Sequence, residues 1–268
     1  MRLLFALPFY VVILIYFQNS NHKYSPDRST WMWLIFLSFI GFYLSSFLDF
    51  YGLNYLPAGI ERIIMFSTPA IVLLLSYLIF KTKIKLVQVI SAAVCYIGII
   101  IAFINQDSLT GGSNMLLGAT LVISSAVSYS FYLIFSERIL QQTPIVFFTS
   151  TVMILSTIFV TIHYLIGYDL GHILNFEIEV YLCGLAMAIF ATVLPTFMMS
   201  EGIKRIGAGN TSIFGGIGPI STIILAAFIL DEHFSVLQYI GSALVLIGVY
   251  ILSINTKKRK QKLKSNLS

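Results

Sequence analysis

The sequence predicts an all-α membrane protein of about nine transmembrane helices in two inverted repeats, and three observations carry that expectation. Composition is the first: 58% of the 268 residues are hydrophobic and 10% charged, where roughly a quarter of a soluble domain is charged. Apolar runs of about 20 residues, the length that crosses roughly 30 Å of hydrocarbon as a helix, recur along the whole chain. The third is an internal match in which the charges of equivalent loops change sign. Lipid offers backbone groups no hydrogen-bond partner, so runs this long and apolar are read as helices rather than strands.

The runs are residues 3–17, 31–51, 60–80, 86–104, 115–135, 145–166, 180–199, 211–230 and 236–254, and the connections are too short for a soluble domain. The first is short and starts behind Met1 and Arg2 as a secretory signal would, but "YFQNSNHKYSPDRS" offers no small-residue cleavage site, so a retained span is expected. Ahead of and into the eighth lies "GAGNTSIFGGIGP", residues 207–219, with the glycine density of a phosphate loop. Such a loop follows a strand, opens a soluble helix and is followed by a lysine; this stretch does none of these, so no nucleotide site is expected. Ala208, Ser212, Gly216 and Pro219 instead offer small residues for close helix contact, with Asn210 and Thr211 read as helix caps. Pro69 and Pro219 fall inside their spans, where each removes one backbone hydrogen bond and bends the helix, as a hinge or as a static kink. Cys95 and Cys183 lack the spacing of a zinc or redox motif and the four histidines are scattered, so no catalytic or metal cluster and no cofactor is expected.

Lysine and arginine collect in alternate connections: Lys23 and Arg28, then Lys81, Lys83 and Lys85, then Arg138, then Lys204 and Arg205, then the tail "KKRKQKLK". The intervening connections carry Asp107, then Asp169, Glu177 and Glu179, then Asp231 and Glu232, with Arg2 and Arg62 as exceptions. Cytoplasmic loops retain positive charge, which places the C-terminus in the cytoplasm and Met1 outside.

Residues 41–104 align with 191–254 without a gap, at roughly 16 identities in 64 positions. Gly52 meets Gly202, Ala58 and Gly59 meet Ala208 and Gly209, Pro69 meets Pro219, Gln88 meets Gln238 and Gly98 meets Gly248. "KTKIK" at 81–85 falls opposite "DEHFS" at 231–235, so equivalent loops lie on opposite faces and the repeat is inverted. Inverted repeats characterise secondary transporters, whose substrate site lies near midplane between the halves. The first repeat is expected over 1–108, the second over 109–256 and a basic cytoplasmic tail over 257–268. The run at 115–135 calls for a partner beginning about 35 residues before Met1; either the start lies further upstream or the protein works with an incomplete first half.

With the two copies "YGLNYLPAGIERIIMFSTPAIVLLLSYLIFKTKIKLVQVISAAVCYIGIIIAF" and "EGIKRIGAGNTSIFGGIGPISTIILAAFILDEHFSVLQYIGSALVLIGVYIL" in view, the chain resembles the drug/metabolite transporter superfamily, in particular its EamA-type members. Each copy has that family's order of aromatic-rich helix, short turn, proline-bearing helix, charged loop and glycine-containing helix. "SSAVSYSFYLIFSERI", residues 124–139, is similar to the helix opening the family's second copy. The resemblance implies a ten-helix, cofactor-free exporter or exchanger of small metabolites, amino acids or drugs.

Two groups of residues are candidates for the substrate pathway. Asp49 and Glu61 flank the turn that holds Asn54, near the outer ends of their spans. A charge at the centre of a span costs roughly 2.5 to 3.5 kcal/mol, so both either face a pathway or simply solvate at the interface. Glu61 and Arg62 are neighbours in sequence, and helix neighbours do not face each other, so no ion pair is expected. Ser125, Tyr129, Tyr132 and Ser136 recur on one face of the fifth run, as a pathway lining or as helix-to-helix contacts. Asn210 joins the pathway set, and Gly52, Pro69, Gly202, Gly216 and Pro219 form a hinge or packing set. The function expected is a secondary transporter in the plasma membrane, by alternating access, with a small-molecule substrate, the lipid bilayer and no nucleic acid as partners and with homodimerisation left open. An intramembrane enzyme would need clustered acids, bases or ligands that the sequence does not offer. The alternative is a degenerate, non-transporting membrane protein acting as a partner or scaffold.

Overall fold

The computed structural model describes residues 2–20, 24–56, 58–103, 114–167, 178–215, 218 and 236–265, and among these the secondary structure is helical, without a strand. Among the described residues six stretches are long and apolar enough to cross a membrane: Arg2–Asn19, Arg28–Gly52, Ile60–Phe80, Met115–Gln142, Ile145–Gly167 and Ile178–Ile206. Leu86–Ile101 and Tyr239–Ile251 are shorter apolar helices. Large apolar side chains such as Leu116, Ile166 and Phe190 are exposed, as expected where hydrocarbon is the solvent.

Several spans are interrupted. The second consists of α2 (Arg28–Ser38), a π-helical stretch Phe39–Leu44 and α3 (Ser45–Gly52). The third is α4 (Ala58–Met65), a turn at Phe66 and Ser67, and α5 (Thr68–Phe80). Pro69 therefore opens a new helix, where its missing N–H costs nothing, instead of kinking a continuous one. The seventh span is α9 (Ile178–Ala188), a second π-helical stretch Ile189–Val193 and α10 (Leu194–Ile206). The remaining helices are α1 (Arg2–Asn19), α6 (Leu86–Phe103), α7 (Met115–Gln142), α8 (Ile145–Gly167), α11 (Ala208–Phe214) and α12 (Val236–Ser265). α7 runs further than the apolar run that marked it, past Arg138, and α12 continues through the basic tail sequence. Gly216 and Pro219, and the eighth run from 219 onward, lie outside the described residues.

The chain forms two compact units, Met1–Ser46 with Phe135–Arg205, and Phe47–Ile134 with Ile206–Ser268, so each draws on both halves of the sequence. The first unit packs α1 and α8 around Ala6, Tyr10, Met153 and Ala188, all fully buried or nearly so, with Phe42 and Val193 against them. At one end of this unit Lys204 Nζ donates to Thr143 O at 3.0 Å and Tyr24 Oη lies 3.4 Å from Thr143 Oγ1. The start of α2 and the ends of α7 and α10, which carry Arg28, Arg138 and Lys204, thus meet at one end of this unit, in keeping with the alternation of charge.

In the second unit the largest contact is between α6 and α12. Along it Ser91 meets Gly248, the Cys95 Sγ donates to Val245 O at 3.6 Å, and Gly98 meets Gly241. Contacted numbers fall on α12 as they rise on α6, so the helices run antiparallel. Cys95 and Val245 are themselves repeat equivalents, as are Gly98 and Gly248, and Ser91 and Gly241. Residue i meeting the equivalent of j while j meets the equivalent of i is the contact pattern of a two-fold axis. Equivalent helices of the two copies therefore oppose each other in direction, which is the inversion the loop charges predict.

Candidate functional site

Four places concentrate polar groups within the spans. The first holds Asp49, on the last turn but one of α3, and Glu61, in the first turn of α4. Glu61 is 3% exposed, and its carboxyl lies within hydrogen-bonding reach of Asp49, whose Oδ1 is buried with no partner among the described residues. The Arg62 Nε is 3.4 Å from Glu61 Oε2, against expectation. Successive side chains diverge on a helix, but the long arginine arm, itself 57% exposed, swings back along α4 to reach the carboxylate. Two carboxyls and one guanidinium make a group that is neutral when it holds one proton. Asn54 sits in the intervening turn, exposed, with its Nδ2 donating to Tyr51 O at 3.3 Å. Gly52 permits this turn to pack on α7: a Cβ there would lie 2.7 Å from Val122 Cγ2.

The second place is the face of α7. Ser125, Tyr132 and Ser136 are buried and Tyr129 half-buried, with the two tyrosine rings stacked at 5.7 Å. The predicted stripe exists and points inward. Ser136 Oγ is buried without a partner among the described residues.

Asn210 belongs to a third place. Gln88 Oε1 accepts from the Lys85 N–H at 3.0 Å, closing one half of a capping box at the start of α6. Its Nε2 donates to Asn210 Oδ1 at 2.9 Å, and Asn210 Nδ2 donates to Ile206 O at 2.7 Å. Asn210 and Thr211 were expected as caps, but both lie inside α11 and turn back to carbonyls four residues earlier, Thr211 Oγ1 to Gly207 O at 2.8 Å. The N-cap is Gly207, at a φ of 87° that favours glycine. Ala208, Thr211 and Ser212 are buried, so this helix does bury its small face. Gly202 lies within α10, half-buried.

The fourth place was not singled out from the sequence. Tyr43 Oη lies 3.0 Å from His163 Nδ1, and Tyr10 Oη lies 2.7 Å from Thr196 Oγ1. His163 is visible in the sequence as a histidine within a span, but its partner is 120 residues away and nothing local announces it. Among the described residues no group of three or more His, Cys, Asp or Glu side chains could hold a metal ion.

The spans, their interruptions and the antiparallel equivalent helices define a multi-pass helical membrane protein built from two related halves. The EamA-like transporter family model matches residues 1–104 and 116–254. The chain belongs to that family of membrane transporters, within the drug/metabolite transporter superfamily. It is 26% identical over 250 residues to the "Uncharacterized transporter YyaM" of Bacillus subtilis, covering 93% of this chain and 82% of that one. To the "Uncharacterized transporter YetK" of the same organism it is 24% identical, over 84% of this chain and 68% of the relative. To the "Probable amino-acid metabolite efflux pump" of Escherichia coli it is 24% identical, over 79% of this chain and 73% of the relative. A chain in a solved crystal structure matches the fold with a TM-score of 0.78 at 15% identity, over 94% of this chain and 88% of that chain.

Proposed function

We propose that the protein is a secondary transporter that exports or exchanges a small metabolite across the plasma membrane, its C-terminus cytoplasmic, by alternating access between its two inverted repeats. The observation that carries this reading is the antiparallel pairing of repeat-equivalent helices in the two-fold register of Ser91, Cys95 and Gly98. Likeness to a relative named as an amino-acid metabolite efflux pump makes amino acids and their derivatives the substrate class to test first. The repeats divide at about residue 108, with the substrate meeting the α7 stripe of Ser125, Tyr129 and Tyr132. The carboxyl pair Asp49 and Glu61 is the coupling group: it gains or loses one proton as the pathway changes face, and Arg62 offsets the remaining charge.

The experiment is an amino-acid profile of the medium around cells expressing the full chain, against empty vector and a Glu61→Gln variant, at several external pH values. Accumulation of one amino-acid class outside only with the wild-type chain, losing its pH dependence in Glu61→Gln, is the expected result. No accumulation of any amino acid rejects this substrate class, and unaltered pH dependence in the variant rejects Glu61 as the coupling group.

A further inference from the structure

The stretches Phe39–Leu44 and Ile189–Val193 are both π-helical, and they begin 150 residues apart, the repeat offset. A π-turn within an α-helix arises from one extra residue, takes backbone groups off the regular ladder and is a local point of bending. The irregularity is confined, because Ser38, Ser45, Ala188 and Leu194 on either side have ordinary α dihedrals. In the second stretch the Leu194 N–H reaches back five residues to Ile189 O. The sequences "FIGFY" and "IFATV" share no residue at equivalent positions, so what the copies share here is backbone geometry.

Carbonyls released from the ladder are costly in hydrocarbon, and hydroxyls close both bulges. Ser45 Oγ donates to Gly41 O, and Thr192 Oγ1 donates to Met187 O at 3.2 Å. Ser156 Oγ of α8 donates to Ser38 O at 3.0 Å, at the entry to the first. Polar contacts also tie each bulge region to a helix of the other repeat. Tyr43 meets His163 on α8, and Thr196 meets Tyr10 on α1. α8 is the repeat equivalent of α1, so both links run to equivalent partner helices, although Tyr43 lies within its bulge and Thr196 three residues beyond its own.

We propose that the two bulges are paired joints at which the spans that hold them bend during transport, and that Tyr10 and Tyr43 are positioning residues that hold the joints in the arrangement described. The proposal rests on the transport reading above. A packing defect has no reason to recur at the repeat offset with a polar link to the equivalent partner helix, whereas a joint used by both halves of an alternating cycle has to.

The test is hydrogen–deuterium exchange on the full chain in lipid nanodiscs. In the wild type, amides of residues 40–45 and 190–195 should exchange about tenfold faster than those one turn before them in α2 and α9. Tyr43→Phe should raise exchange in the first stretch alone, and Tyr10→Phe in the second alone, each about fivefold, the factor expected for one hydrogen bond. A rise confined to one stretch separates this role from general loss of stability, which would raise exchange throughout. Bulge amides as protected as their flanks overturn the proposal from the wild type alone, and variants without effect overturn the role of the tyrosines. Amino-acid export with rigid bulges refutes the joints and leaves transport standing; mobile bulges without export of any amino acid uphold the joints and reject the amino-acid substrate class.

Discussion

Gly98→Ala tests the two-fold seam directly. A Cβ on Gly98 would stand 2.7 Å from Gly241 O and 2.9 Å from the Val245 N, both backbone atoms that cannot turn aside. Ordinary contact begins at 3.4 Å, so α6 and α12 must part by several tenths of an ångström. A gap of about 0.5 to 1 Å forfeits a quarter to a half of each dispersion contact it opens. Cys95, Ile99, Val245 and Val249 are the buried side chains along the seam. If about thirty atom pairs worth ~0.15 kcal/mol each are stretched, the loss is roughly 1 to 2 kcal/mol, within the usual range for overpacking. Gly248→Ala should cost a similar amount, because its Cβ would meet Ser91 O at 2.9 Å as well as Cys95 Sγ at 2.6 Å. The double variant should cost less than the sum, since one parting of the helices relieves both clashes. The assay is SDS-titrated unfolding of the purified protein in mixed micelles. Single variants within about 0.5 kcal/mol of wild type, or a fully additive pair, would refute the seam as the place where the halves lock.

Gln88→Ala and Asn210→Ala should each destabilise by about 1 kcal/mol, and together by less than the sum, because they share one hydrogen bond; additive costs in the same unfolding assay would contradict the pairing. Asp27 caps α2 by accepting the Thr30 N–H at 3.2 Å, and hydrogen bonds from Thr30, its side chain and then its backbone, hold that carboxyl below the ordinary carboxylate value. A lowered folded-state value means stability that is complete above the ordinary carboxylate range and is lost as pH falls through the lowered one, so Asp27→Ala should destabilise at pH 7 and converge with wild type in strong acid. Asp49→Asn should shift the pH at which export is half-maximal, because it removes one of the two carboxyls beside Arg62; an unchanged profile would remove Asp49 from the coupling group.

The span lengths, the face of α7 and the inverted repeat were all legible because each follows from periodicity or charge, which single residues report. Helix interiors were less so. Pro69 marks a real interruption, but whether a proline kinks a helix or opens one depends on where the preceding helix stops, and Phe66 and Ser67 carry no stop signal. The ion pair of Glu61 and Arg62 was misjudged because the rule for helix neighbours describes Cβ directions and not the reach of a guanidinium. The π-helical stretches had no local signal: the extra residue hides in an uninterrupted apolar run, and the hydroxyls that complete them, Ser45 and Thr192, look like any small polar residues in a membrane helix.

These differences in legibility follow the division of labour within each repeat. The seam of α6 and α12 is antiparallel and closely packed through Gly98 and Gly248, where a Cβ would meet backbone atoms within 3.0 Å. Freedom to move has to come from elements whose backbone ladder is already interrupted, because bending a regular helix in lipid would expose carbonyls that nothing can satisfy. The first repeat supplies such interruptions in α2–α3 and α4–α5, and the second supplies one in α9–α10. The π-helical stretches are repeat equivalents, and so are the ends of α4 at Met65 and of α11 at Phe214, within one residue. An alternating mechanism asks that whatever one half can do, the inverted half can do in the opposite sense. Interruptions that recur in pairs meet that requirement with little shared side-chain chemistry, because what must be equal in the two halves is the position of the bend, and that is set by the backbone.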